Sequence, residues 1–165
     1  SLLVKQGYSI VQSFEYVLIM ILAQLPGYVA AAWLVEKLGR KATLAGFIGM
    51  CAVSAYFFGQ ANSVNLIMFW GCLMSFFNLG AWGVLYTYTP EQYPTNIRAF
   101  GSGWASAIGR MGGIVAPMVV THMMIMENGF SQVFMMFTAV LFGVALVILI
   151  LGEETKGKTL ESIGL

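Results

Sequence analysis

Long stretches without a charged side chain divide the sequence. Residues 16–35 form a run of 20 without Asp, Glu, Lys or Arg, residues 42–90 a run of 49, and residues 128–152 a run of 25. Residues 99–126 form a further run of 28 that only Arg110 interrupts. A helix that crosses a membrane needs about 20 apolar residues. The runs of 20 and 25 therefore predict one span each.

The run of 49 residues is too long for one helix, and its polar segment 59–63 (Gly-Gln-Ala-Asn-Ser) predicts a turn. Strands of a membrane barrel would alternate polar and apolar residues, which these runs do not. The pattern therefore predicts an all-α fold, a polytopic membrane helix bundle with five transmembrane helices. Their expected positions are about 14–35, 42–59, 65–88, 98–122 and 131–152.

The composition of the 165 residues is that of a membrane protein. Hydrophobic residues make up 59% and charged residues only 9%, with a mean hydropathy of +0.81; a soluble domain carries roughly 25% charged residues. Eight Lys and Arg against seven Glu leave no basic face, which excludes nucleic acid as a partner. Cys51 and Cys72 lie in apolar runs without CxxC spacing, so neither a disulfide framework nor a metal site is predicted. We expect no cofactor.

The basic residues predict the orientation in the membrane. If the amino end lies outside, Lys5 is the only basic residue of the loops on the outer side. The basic residues on the cytoplasmic side would be Lys37, Arg40, Lys41, Arg98, Lys156 and Lys158. The opposite orientation would place one basic loop residue inside and six outside, against the excess of Lys and Arg expected in cytoplasmic loops. We therefore expect an external loop over 1–13, the bundle over 14–152 and a cytoplasmic tail over 153–165. The sequence begins at Ser1 without Met, and no signal peptide pattern follows. Five spans with the amino end outside lead us to expect at least one earlier helix before this chain.

Three predicted cytoplasmic segments carry a family resemblance. They are 36–41 (Glu-Lys-Leu-Gly-Arg-Lys), 90–98 (Pro-Glu-Gln-Tyr-Pro-Thr-Asn-Ile-Arg) and 152–161 (Gly-Glu-Glu-Thr-Lys-Gly-Lys-Thr-Leu-Glu). In order and in spacing relative to the spans, they resemble the carboxy-terminal half of the major facilitator superfamily. The resemblance implies a multi-pass cell membrane transporter and the last five of its twelve helices. The amino-terminal half of the same transporter and the lipid bilayer are then the expected partners.

The charged residues of these segments are candidates for a cytoplasmic gate. Opposite charges could pair across the helix ends when the inner mouth closes and separate when it opens. The alternative is that the charges only set the topology and solvate the loops. The acidic candidates are Glu36, Glu91, Glu153 and Glu154, and the basic partners are Arg40, Arg98 and Lys156.

Arg110 is the only charge well inside a predicted span. Twelve residues from Arg98, at 1.5 Å each, place it about 18 Å from the cytoplasmic boundary, close to the midplane. A charge at that depth is costly and almost always faces a cavity or a partner. Ser106 lies on the same helix face, so both are candidates for substrate binding.

Two further polar side chains share this depth. Gln24 and Asn78 each lie eleven residues from a predicted cytoplasmic helix end, which is about 16 Å. Secondary transporters bind their substrates near the midplane, so we predict both in the site, with Trp82 as an aromatic neighbour four residues after Asn78. Alternatively, Gln24 and Asn78 are ordinary hydrogen-bonding residues between helices.

Residues 97–117 narrow the resemblance to one branch of the superfamily. They are similar to organic-anion, aromatic-acid and above all bacterial niacin-type permeases, whereas sugar porters generally lack an arginine at position 110. The resemblance implies that Arg110 meets a substrate carboxylate, which a guanidinium can bind with two parallel hydrogen bonds. We therefore predict a secondary transporter of a small organic anion such as nicotinate, working by alternating access.

Two other functions remain open from the sequence. One is a sugar or polyol porter in which Arg110 is structural, and the other is a membrane scaffold that does not transport. An enzyme is not predicted, because the single histidine, His122, has no catalytic constellation around it.

Overall fold

A computed structural model of the chain describes residues 10–126 and 128–157. The regular structure of this part is helical, which confirms the predicted all-α fold. Its helices are α1 (Ile10–Leu22), α2 (Gln24–Leu38), α3 (Arg40–Gly59), α4 (Val64–Glu91), α5 (Arg98–Met123) and α6 (Gly129–Leu151).

Four helical stretches of the described residues are long and apolar enough to cross a membrane. They are Phe14–Leu38, Arg40–Gly59, Val64–Glu91 and Gly129–Leu151. Helix α5 has a sufficient length of 26 residues, but its glycines, its serines and Arg110 make it less apolar than the others. A fifth span at α5 therefore stays a prediction.

The first span, predicted over about 14–35, lies in the helical stretch Phe14–Leu38, which Ala23 makes irregular. The helix begins at Ile10, so residues 10–13 of the expected loop are helical, while residues 1–9 lie outside the described part. Ala23 separates α1 from α2, which runs on to Leu38. The interruption lies close to Pro26, which has no amide N–H to donate to the carbonyl of Leu22.

The other helices differ from the predicted bounds by three residues at most. The predicted turn lies between α3 and α4, where Ser63 accepts a hydrogen bond from the amide of Leu66 at 3.4 Å. A sharper turn separates α2 from α3, since Gly39 alone joins them with a φ of 96° that favours glycine. Beyond α6, residues 152–157 are not helical, and the rest of the predicted tail lies outside the described residues.

Helix α3 forms the centre of the bundle, with eleven of its 20 residues buried. At one end Leu44 and Phe47 pack with Val84 of α4. At the other end Phe58 packs with Phe134 of α6, with ring centroids 4.8 Å apart. Because α4 and α6 both cover α3, these three helices form most of the core.

Helix α5 lies at the edge of this core. None of its residues is buried. Near its first residue, the ring of Tyr93 lies against Gly101, and beyond its last turn Gly129 lies against the backbone of Met123 and Met124. The middle of α5, which carries the arginine at position 110, is therefore open.

Candidate functional site

The arginine proposed for the substrate site lies on the open helix α5. Arg110 and Ser106 are both exposed, and their spacing of four residues places them on the same helix face. A Cβ built on Gly103 or Gly113 would meet no atom within 4 Å. The described residues therefore leave this face free for a ligand or for a further helix.

A second open face lies on α4. Asn78 and Trp82 are exposed there, and the ring of Trp82 stands beside that of Tyr86 with centroids 5.5 Å apart and a tilt of 35°. The opposite face of α4 packs closely, since Ala81 and Val84 are buried. This second face therefore presents an amide and two aromatic rings on the side away from the core.

Gln24 lies at a third place, as the first residue of α2, where it is half-buried. Within the described residues, no hydrogen bond or ion pair joins any two of Gln24, Asn78, Trp82, Ser106 and Arg110. The structure places Asn78 with Trp82 and Ser106 with Arg110, on two separate helix faces. A common site at the midplane stays a prediction.

Most of the predicted gate residues lie away from these two helix faces, around the α2–α3 turn. Arg40 Nε lies 3.4 Å from Glu91 Oε2, with the geometry of an ion pair and not of a hydrogen bond. The hydroxyl of Thr155 donates to the same oxygen of Glu91. Glu154 Oε1 accepts from the backbone amides of Arg40 and Lys156, both at 3.0 Å. The end of α4 is thus tied to the start of α3 and to the segment after α6.

Further hydrogen bonds hold the segment after α6. The hydroxyl of Tyr88 donates to the carbonyl of Glu153 at 2.8 Å, and the side-chain amide of Gln92 donates to the same carbonyl at 3.2 Å. Lys156 Nζ donates to the carbonyl of Lys37 at 2.6 Å. We call this set the tail network. It consists of Lys37, Arg40, Tyr88, Glu91, Gln92, Glu153, Glu154, Thr155 and Lys156.

Two predicted gate residues do not take part as expected. Arg98 Nε donates to the backbone carbonyls of Pro90 at 3.0 Å and Tyr93 at 3.4 Å. Arg98 thus binds backbone acceptors at the end of α4 and in the segment after it, and not a glutamate. Glu36 is exposed and is not in the tail network. The expected pairing of opposite charges is found between Arg40 and Glu91.

Several residues of this network were not predicted from the sequence. Thr155 is only 4% exposed, although it lies in a charged segment. A Cβ on Gly39 would lie 2.5 Å from Glu154 Oε2, so the close approach of Glu154 requires glycine as well. A glycine between two helices was a usable signal for the turn, whereas the partner of Thr155 depends on how the helices pack.

Comparison with known proteins identifies the family. A model of the Major Facilitator Superfamily matches residues 8–164. The chain therefore belongs to the Major Facilitator Superfamily. This confirms the resemblance of the three charged segments and makes the chain part of a multi-pass membrane protein of a transporter family. Relatives of this chain are named as transporters, in agreement with the prediction that it is not an enzyme.

Two bacterial relatives of this superfamily are similar along nearly the whole chain. The niacin transporter NiaP of Acinetobacter baylyi is 83% identical over all of the chain, which covers 38% of that relative. The putative niacin/nicotinamide transporter NiaP of Bacillus subtilis is 56% identical over 98% of the chain, covering 40% of that relative. A synaptic vesicle 2-related protein of Rattus norvegicus is 29% identical over 85% of the chain, covering 25% of that protein. The chain thus spans about two fifths of the length of the two bacterial relatives.

Proposed function

We propose that the protein to which this chain belongs is a secondary transporter that moves niacin, a small organic anion, across the cell membrane by alternating access. The observation that carries the proposal is the 83% identity, over the whole chain, to a protein named a niacin transporter. The amino end of the described part lies outside in this proposal, and the tail network lies in the cytoplasm.

Arg110 is the residue proposed to bind the carboxylate of the substrate. Its guanidinium is permanently charged and matches a carboxylate with two parallel hydrogen bonds. Its exposed position on α5 leaves this group free of the bundle core. Ser106, four residues earlier on the same face, is placed to donate a further hydrogen bond. An anion bound here compensates a charge that lipid alone would leave costly.

The exposed face of α4 is proposed to bind the ring of the substrate. The flat face of Trp82 suits offset stacking on a pyridine ring, and Asn78 carries an amide that can donate to the ring nitrogen. Gln24 of α2 is proposed as a further polar group of the substrate site. The site is therefore expected to combine residues from three helices with those of the amino-terminal half.

The first prediction tests the transport function itself. The full-length protein in proteoliposomes should take up labelled nicotinate, because Arg110 supplies the positive charge. Excess benzoate should compete, since it has the same carboxylate and a flat ring, whereas glucose should not. Competition by glucose alone would replace this proposal with a sugar or polyol porter. Absence of uptake for every solute would favour a membrane scaffold.

The tail network is proposed to act as the cytoplasmic gate. Arg40 and Glu91 are partly removed from solvent, with side chains 30% and 20% exposed. The network joins the ends of α3 and α4 and the segment after α6. Moving any one of these three elements would break it. Opening the inner mouth would separate Arg40 from Glu91 and release Thr155.

The second prediction concerns this gate. Glu91→Gln keeps an oxygen that can accept from Thr155 but removes the charge that pairs with Arg40. We expect it to shift the equilibrium between closed and open inner mouths about fivefold toward open, the factor for a net loss of about 1 kcal/mol. The measurement is the rate at which a single engineered cysteine in the inner mouth reacts with a reagent added from the cytoplasmic side.

Glu36→Gln is the matched control for this experiment. It removes the same charge from an exposed residue outside the tail network, so the labelling rate should not change. Equal rates in the wild type, Glu91→Gln and Arg40→Ala would contradict the gate. The charges would then act only in topology and solvation.

A further inference from the structure

The second half of the first span is attached to the bundle through its backbone. A Cβ on Gly27 of α2 would lie 2.9 Å from the carbonyl carbon of Phe76 and 3.0 Å from its Cα. Ala31, one turn further along α2, is also buried. Such backbone contact leaves no flexible group that could give way. Helix α2 is therefore fixed on α4.

The first half of the same span is attached through side chains. Among the side chains of α1 that the structure describes, from Phe14 to Leu22, Met20 alone is buried, and Tyr16 packs half-buried on the same apolar cluster. Met20 fills the space left by a missing side chain, since a Cβ on Gly71 would lie 2.8 Å from its sulfur. A methionine side chain has three rotatable bonds and adapts easily. This contact can therefore be released without moving the backbone of α4.

The joint, which is the break between α1 and α2, has a structural cause and lies beside open space. Pro26 cannot donate to the carbonyl of Leu22, and helices bend where such a bond is missing. An open apolar groove of about 450 Å³ adjoins the joint, lined by Ala23 and Pro26 on one side and by Met68 and Phe76 of α4 on the other. Helix α1 thus has room to tilt against α4.

We propose that residues 23–26 form a hinge about which α1 swings while α2 stays docked, and that Met20 is the latch that holds α1 against Gly71. The inference rests on the proposed transport function, because Gln24, a proposed substrate residue, lies within this hinge. Swinging α1 changes access to Gln24 from the outer side. The hinge thus supplies an outer gate, opposite to the tail network.

The experiment measures distances between pairs of spin labels in the full-length transporter in nanodiscs, with Cys51 and Cys72 replaced by alanine. One pair labels the hinged half and another the docked half of the first span, each against α4, at residues that are all exposed. These pairs are Phe14 with Asn65 and Val29 with Leu85. We expect two distances for the first pair and one for the second.

Two variants test the parts of the hinge separately. Pro26→Ala restores the missing amide, so the minor distance of the α1 pair should lose population about fivefold. Gly71→Ala fills the space of the Met20 side chain, so the minor distance should gain population. One unchanged distance in all three proteins would overturn the hinge, as would equal shifts of both pairs. Nicotinate uptake by the same labelled proteins in proteoliposomes separates the hypotheses, since two distances without uptake would retain the hinge and contradict niacin transport.

Discussion

Arg110→Gln should lower the affinity of the full-length transporter for nicotinate by roughly ten- to hundredfold or more. A charge-assisted hydrogen bond in a dry site is worth about 1.5–3 kcal/mol, and glutamine cannot replace the cation. The affinity for nicotinamide should fall much less, because the uncharged amide does not need a cation. The measurement is the ratio of nicotinate affinity to nicotinamide affinity in the wild type and the variant.

Arg110→Lys is the companion variant, since it keeps the charge and loses the planar fork. It should bind nicotinate more weakly than the wild type and more strongly than Arg110→Gln. Equal losses for acid and amide would contradict the anion site. They would favour a structural Arg110, which leaves a buried partner unpaired when it is removed.

Gly27→Ala should cause a large loss of stability. The added methyl group would overlap the backbone around Phe76, so α2 and α4 must move apart. Overpacking of this kind costs typically 1–3 kcal/mol and occasionally more. The measurement is the thermal unfolding midpoint of the detergent-solubilised full-length protein.

Gly46→Ala is the matched control for Gly27→Ala. Both glycines lie inside long helices, but a Cβ on Gly46 would meet no atom within 4 Å. Alanine favours helix over glycine by about 1 kcal/mol, so Gly46→Ala should unfold at the wild-type temperature or above. Equal midpoints for the two variants would contradict the close crossing of α2 and α4.

The helices could be predicted because a bilayer demands about 20 apolar residues for each span. That rule considers runs of apolar residues and not backbone hydrogen bonds, so it did not indicate the break at Ala23. Pro26 was the available signal, since proline removes one helical hydrogen bond. The rule also counted α5 as a span, although its composition falls short of the other four stretches.

Charge pairing was only partly predictable for a different reason. The glutamates of the three charged segments were expected to pair with Arg40, Arg98 and Lys156, without a choice of partner, and the structure pairs Arg40 with Glu91. Arg98 was assigned a glutamate, but its Nε donates to the carbonyl of Pro90, eight positions away, although Glu91 is nearer along the chain. The role of Thr155 depends on a contact between residues 64 positions apart, which no local pattern can indicate. For the substrate residues, depth along a helix could be calculated from the sequence, but not which faces meet.

The tail network also has a consequence for the order of synthesis. The bond between the amide of Arg40 and the carboxylate of Glu154 joins residues 114 positions apart. A ribosome must therefore complete every helix from α3 to α6 before this bond can form. Until then, the α2–α3 turn lacks the carboxylate of Glu154 as a partner. A nascent chain that stops at residue 151 would possess all its described helices and still lack this closure. This end of the bundle therefore cannot close until residue 154 has been synthesised.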